Sequence, residues 1–177
     1  MQLQRLMDSE GMFNASLAVI AFFVLVSSSF VAIPLDPVPI TMQSLAGTLT
    51  GILLGARFGA FVVAVWVLAG LTGFPVLAMG SGGWEQLTDP SAGYLFSFPL
   101  VAFLAGKLEK NHSNFQTFFS LLAAHLLCLC LGALWLSLYV GVLAAVMFGI
   151  VPFLLGAILK SLIGTLILWA IVRSPHA

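Results

Sequence analysis

Lys160 is the residue in this chain best placed to do chemistry, because it is a basic side chain inside an otherwise apolar run, VPFLLGAILKSLIGTLILWAIV. A charge held within a bilayer costs about 2.5–3.5 kcal/mol on insertion scales, so such a residue is a functional candidate. If the helix begins at Pro152, the ammonium lies about eight residues in, or roughly 12 Å along the axis. Gly156 and Gly164 stand four residues to either side and would leave room for a ligand group or a facing helix. No Asp or Glu shares a span with it.

Two further stretches carry polar groups that could meet a small molecule. In IPLDPVPITMQSL, Pro34, Pro37 and Pro39 remove three backbone donors and bar a helix. A rigid, kinked loop therefore presents Thr41, Gln43 and Ser44. In VLAMGSGGWEQLTDPSAG, Gly82 and Gly83 let backbone approach a ligand closely, and Trp84 is an aromatic able to cover it. Tyr94 follows at the start of the next apolar run, where unpaired N–H groups of a helix end face outward. The predicted substrate-binding set is Thr41, Gln43, Gly82, Gly83, Trp84, Tyr94 and Lys160, with no catalytic and no metal-binding residue.

The residue types present exclude several chemistries. Cys128 and Cys130 are two apart, on different helix faces, and lack the further His or Cys a metal site needs. His125 reads as a helix-packing hydrogen bond in preference to a proton relay. Acid, base or metal ligands that an intramembrane enzyme would place in its spans are not visible. No phosphate-binding glycine motif is present, so the chain is not expected to hydrolyse a nucleotide itself. No cofactor and no nucleic-acid partner is expected.

These groups need a scaffold, and the composition dictates its class. Of 177 residues, 61% are hydrophobic and only 7% charged, with mean hydropathy +1.15. A soluble domain carries about 25% charged residues. The chain reads as an all-α integral membrane protein, one domain over 1–177, with six spans at about 12–32, 40–56, 58–74, 93–107, 115–138 and 152–172. Residues 1–11 form a short lead, and the first run is long and lacks a signal-peptide cleavage pattern. Gly47, Gly51, Gly55 and Gly59 recur every fourth residue, a stripe suited to close helix packing. Arg57-Phe58-Gly59 is expected to form the hairpin between spans two and three. Segment 140–151 is open between a reentrant loop and a longer helix. Counting spans, Arg5, Arg57, Lys107, Lys110 and Arg173 fall on one side, which places both termini in the cytoplasm and the polar loops outside.

The motifs IPLDPVPITMQSL, GILLGARFGA, GLTGFPVLAMGSGGW followed by PSAGYL, and VPFLLGAILK resemble the BioY family, the biotin-specific substrate-binding (S) components of energy-coupling factor (ECF) transporters. The likeness runs in order from Ile33 to Lys160. It implies a six-helix S-component fold in the cell membrane that binds biotin from outside and works with a transmembrane coupling subunit and two cytoplasmic ATPases. One departure stands in the last motif: the family pattern has Gly-Asp three residues ahead of its final lysine, whereas Gly156 is followed here by Ala157. That leaves open an S component for a different small vitamin or organic acid. An intramembrane enzyme or a structural membrane subunit are readings of another class.

Overall fold

The computed structural model describes residues 2–110 and 113–172, with side chains from Asn14 to Ile171. Arg173, one of the residues used to orient the chain, lies outside them. Helix α1 spans Gln2–Phe30 and is followed by a two-stranded hairpin, β1 Ala32–Ile33 and β2 Ile40–Thr41. Then come α2 Gln43–Leu53, α3 Ala56–Leu71, α4 Ala92–Leu108, α5 Asn114–Val140, α6 Val142–Gly149 and α7 Val151–Val172. The six expected helices are present, and segment 140–151 resolves as the short α6. Gly141, at φ 82°, separates it from α5.

Four expectations need correction. Helix α1 starts at Gln2, so residues 2–11 of the expected lead belong to the helix. Its other end stops at Phe30 because Ala32 and Ile33 pair antiparallel with Thr41 and Ile40. The proline-rich segment is thus a hairpin, with a cis peptide at Asp36–Pro37. Helix α2 has 11 residues, which at 1.5 Å each is roughly 16 Å, about half the hydrocarbon thickness. Its missing first turn is the β2 strand. The glycine stripe does not lie on one helix: the chain turns at Leu54–Gly55, where Gly55 has φ 83° and opens α3, so Arg57-Phe58-Gly59 belongs to the first turns of α3.

Helix α4 is the centre of the bundle, packed against α2, α3 and α5, and α7 leans on α5. Close approach at the middle of this bundle depends on Gly51, whose added Cβ would strike the backbone carbonyl of Ala102 in α4. Trp66 of α3 is fully buried, stands 5.8 Å from the Phe98 ring, and donates from Nε1 to the Val76 carbonyl at 3.0 Å. That bond anchors the loop that follows α3. The outward surface, by contrast, is apolar: Phe61 and Leu68 on α3, Leu134 and Leu138 on α5, Leu155 and Leu166 on α7 are all exposed. Such a surface needs lipid around it, and the helices satisfy their own backbone groups as a bilayer requires. Among the described residues, α5 and the stretch 142–171 are each long and apolar enough to cross a membrane.

Candidate functional site

The short α2 creates the site. Because it begins only at Gln43, the space above its first turn is left to the hairpin, and a cavity remains between hairpin, α4, α5 and α7. Val38, Pro39, Ile40 and Thr41 form its roof. Tyr94, Leu95 and Phe98 of α4, Cys128 and Leu129 of α5, and Phe153 of α7 give it apolar walls. Gln43, Ser44, His125 and Lys160 supply polar groups. This mixture, mostly apolar with a few placed donors and acceptors, is the usual make-up of a small-molecule site.

Each polar group is held in place by a traceable contact. Lys160 Nζ donates to the Thr41 carbonyl at 2.6 Å and to Ser44 Oγ at 3.0 Å, tying the middle of α7 to the start of α2. An ammonium has three donors, so one remains for a ligand. Gly156, one turn before it, lines the cavity with open space where a Cβ would be, whereas Gly164, one turn after, is packed under Leu121 and Leu45. Only the Gly156 side provides the expected room.

Thr41 Oγ1 donates to Gln43 Oε1 at 3.0 Å, and Gln43 Nε2 donates to Ser29 Oγ at 2.9 Å. Ser29 Oγ in turn donates to the Val76 carbonyl at 2.7 Å. This relay links hairpin, α2, α1 and the loop after α3, so both side chains serve to shape the wall. Tyr94 is fixed from three sides. Its ring lies on Gly132, where a Cβ would collide with it, its hydroxyl donates to the Gly149 carbonyl at 2.7 Å, and it stacks on Phe153 with ring centroids 6.1 Å apart.

Of the predicted set, Thr41, Gln43, Tyr94 and Lys160 come together around the cavity. Gly82, Gly83 and Trp84 do not line it. A Cβ on Gly82 would meet the Phe74 carbonyl, and the Gly83 N–H donates to the Gly70 carbonyl at 2.8 Å, so these glycines press the loop onto the end of α3. Trp84 is 67% exposed and points away. The loop instead offers Leu77, Ala78, Gln86 and Ser91 to the cavity. It is tethered to α5 as well, through Tyr139 Oη donating to the Thr88 carbonyl at 2.7 Å and Trp135 Nε1 to the Asp89 carbonyl at 3.0 Å.

His125 and Cys128 belong to this wall and were not expected there. Both lie on the α5 stripe that faces α7 and α4, and the signal was the spacing of 125, 128 and 129. Cys130 is exposed on the opposite side, and among the described residues no group of three His, Cys, Asp or Glu could hold a metal.

A profile of the BioY family matches residues 4–176. The chain belongs to the BioY family. Within it, the chain is 36% identical over 146 residues to the biotin transporter BioY of Thermotoga maritima, covering 81% of this chain and 86% of that one. It is 30% identical to the probable biotin transporter BioY of Pyrococcus horikoshii, over 81% and 88% of the two chains. BioY2 of Lactococcus lactis is 29% identical over 95% of this chain and 94% of its own. The fold is shared with the crystal structure of an S-component for biotin from an ECF-type ABC transporter, at TM-score 0.84, 24% identity and 94% coverage of both chains. As a BioY-family protein this is a membrane protein of a transporter family, and the apolar exterior of its helices agrees with that.

Proposed function

We propose that this chain is the biotin-binding S component of an ECF-type importer, taking biotin from outside the cell membrane and delivering it inward. The observation that carries the reading is the cavity beneath the hairpin. Its apolar walls suit the sulphur ring and aliphatic tail of biotin, and Lys160 retains a donor for a ligand oxygen. The family relatives named as biotin transporters support the same ligand. No covalent reaction is part of this function. Titration of the purified protein in detergent against a vitamin panel tests it: saturable heat with biotin alone is expected. Saturation by another vitamin or an organic acid instead would favour the second reading, which the Ala157 methyl on the cavity wall makes specific.

Partners follow from the source of energy. Without a nucleotide site in this chain, concentrative uptake requires a transmembrane coupling subunit and two cytoplasmic ATPases. In cells lacking such subunits, biotin should equilibrate slowly at most, and steep accumulation there would remove the partner half of the proposal.

The orientation proposed is multi-pass with both termini cytoplasmic. Arg57 opens α3 and Lys107 closes α4 at one end of the bundle, while the hairpin, the 72–91 loop and the α5–α6 turn at the other contain no Lys or Arg. A cysteine introduced at Ser81 should label from outside intact cells, and one at Ser113 only after permeabilisation. Equal labelling of the two contradicts this topology.

A further inference from the structure

We infer that His125 is a specificity-determining residue of the cavity, its Nε2 accepting a hydrogen bond from a urea-type N–H of the bound ligand. The inference rests on the biotin reading above and deepens it. His125 is 3% exposed and lines the cavity from α5. Across from it on α7, Ser161 Oγ donates to the Ala157 carbonyl at 2.7 Å. A hydroxyl has a single proton, so in its 3.1 Å contact with His125 Nδ1 it is the acceptor, and Nδ1 carries the hydrogen. That tautomer leaves Nε2 with a lone pair. The Nε2 atom is enclosed and has no hydrogen-bond partner among the described residues, so it meets a ligand donor once the ring or a neighbouring side chain turns slightly to open it to the cavity. A buried acceptor left unmade is costly to a fold, and a ligand donor is one way to relieve it.

The other polar groups of the cavity are largely committed. The Thr41 carbonyl accepts from Lys160, Gln43 Oε1 from Thr41, and the Tyr94 hydroxyl donates to Gly149. Among the described residues, the Gln86 amide and the Ser91 hydroxyl oxygen keep hydrogen-bonding capacity on the loop side of the cavity, and the two helices α7 and α5 offer one donor, the remaining N–H of Lys160, and one acceptor, His125 Nε2. A cyclic urea carries a carbonyl oxygen beside an N–H and can use both. A ligand whose only polar group is a carboxylate can use the donor but leaves the acceptor bare. His125 therefore selects for an N–H on the ligand, at a place where the Ala157 side chain supplies no acceptor.

The test uses the intact protein labelled with ring-¹⁵N histidine, with His112 and His176 replaced by glutamine so that His125 alone reports. Without ligand, ¹⁵N solid-state NMR should show a protonated Nδ1 and an unprotonated Nε2. Saturating biotin should move the Nε2 resonance toward the hydrogen-bonded range while Nδ1 stays in place. His125→Phe, which removes the acceptor, should weaken biotin binding about tenfold, and His125→Gln, whose amide can present an oxygen near Nε2, should recover most of that loss. A protonated Nε2 in the free protein, or an Nε2 signal unmoved while the protein is shown to bind biotin, overturns the inference. The spectrum of the parent decides even if His125→Phe fails to fold, because a purely structural histidine would not sense the ligand. Failure of the parent to bind biotin at all strikes the proposed function itself, and this contact falls with it.

Discussion

Lys160→Met should weaken biotin binding about ten- to a hundredfold, the scale of one charge-assisted hydrogen bond in a desolvated site. Methionine keeps the length and volume of the stem, so the apolar wall beside Phe153 and Gly156 stays filled. What disappears is the ammonium, with the one N–H left over after Thr41 and Ser44 have taken two. The sequence alone suggests that such a variant folds as well as the parent or better, since it no longer places a charge in a bilayer. The geometry reverses that expectation. Nζ is the clasp between α7 and the start of α2, and without it the Thr41 carbonyl and Ser44 hydroxyl lose a partner. Leaving buried groups unmade costs about 1–3 kcal/mol, so a lower melting temperature should accompany the lost affinity.

The two losses can be separated. Ser44→Ala removes one arm of the clasp but leaves the ammonium and its bond to the Thr41 carbonyl. It should lower stability by about 1 kcal/mol while moving biotin affinity much less than Lys160→Met. Calorimetric titration and thermal unfolding of both variants check this pair of effects. If Lys160→Met binds biotin as tightly as the parent, the ammonium does not touch the ligand and its whole role is the clasp.

The contrast between what the chain announces and what it conceals is sharp at this clasp. A lysine in an apolar helix and three prolines ahead of a polar triplet are visible because each breaks a local rule, of hydropathy in one case and of backbone conformation in the other. Helix number follows from the same periodic apolar runs. Placement is another matter. Gly82 and Gly83 look like ligand-approach residues because glycine permits any close approach, and only tertiary structure decides that the approaching backbone is α3. Trp84 faces outward for the same reason, since its direction is set by how the loop docks. The 11-residue length of α2 is hidden because Ile40 and Thr41 are as apolar or as tolerant in a strand as in a helix, and the stop at Leu54–Gly55 requires a positive φ that any of four glycines could have provided. His125 is in view as a packing residue, and that part agrees with its bond to Ser161. Its second nitrogen can be judged only once the cavity is located.

Gly51→Val should prevent accumulation of a monodisperse folded protein, and even Gly51→Ala should cost about 3 kcal/mol, the upper end of the usual range for overpacking. The reason is that the obstacle is backbone, which has no rotamer to change. A Cβ on Gly51 would overlap the Ala102 carbonyl of α4, and Ala102 itself is wholly buried. Nor can α2 retreat. On its other side a Cβ at Gly59 of α3 would meet the backbone of Thr50 and Gly51, and one turn further along α4 a Cβ at Gly106 would meet the Gly51 carbonyl. Three helices thus meet main chain to main chain at this point, where close packing without side chains is what holds helices together in lipid. The consequence reaches the site, because α2 carries Gln43 and Ser44 on its first turn, about 12 Å from Gly51 along the axis. Tilting α2 away from α4 would pull Ser44 off Lys160 and open the cavity. Gly47 provides the control: it lies on the same helix with open space where an added methyl would sit, so Gly47→Ala should be neutral or stabilise by up to about 1 kcal/mol through helix propensity. Size-exclusion profiles, melting temperatures and biotin affinities of the three variants measure the effect, and a Gly51→Val protein that is monodisperse with parental affinity would show that α2 and α4 do not meet at Gly51.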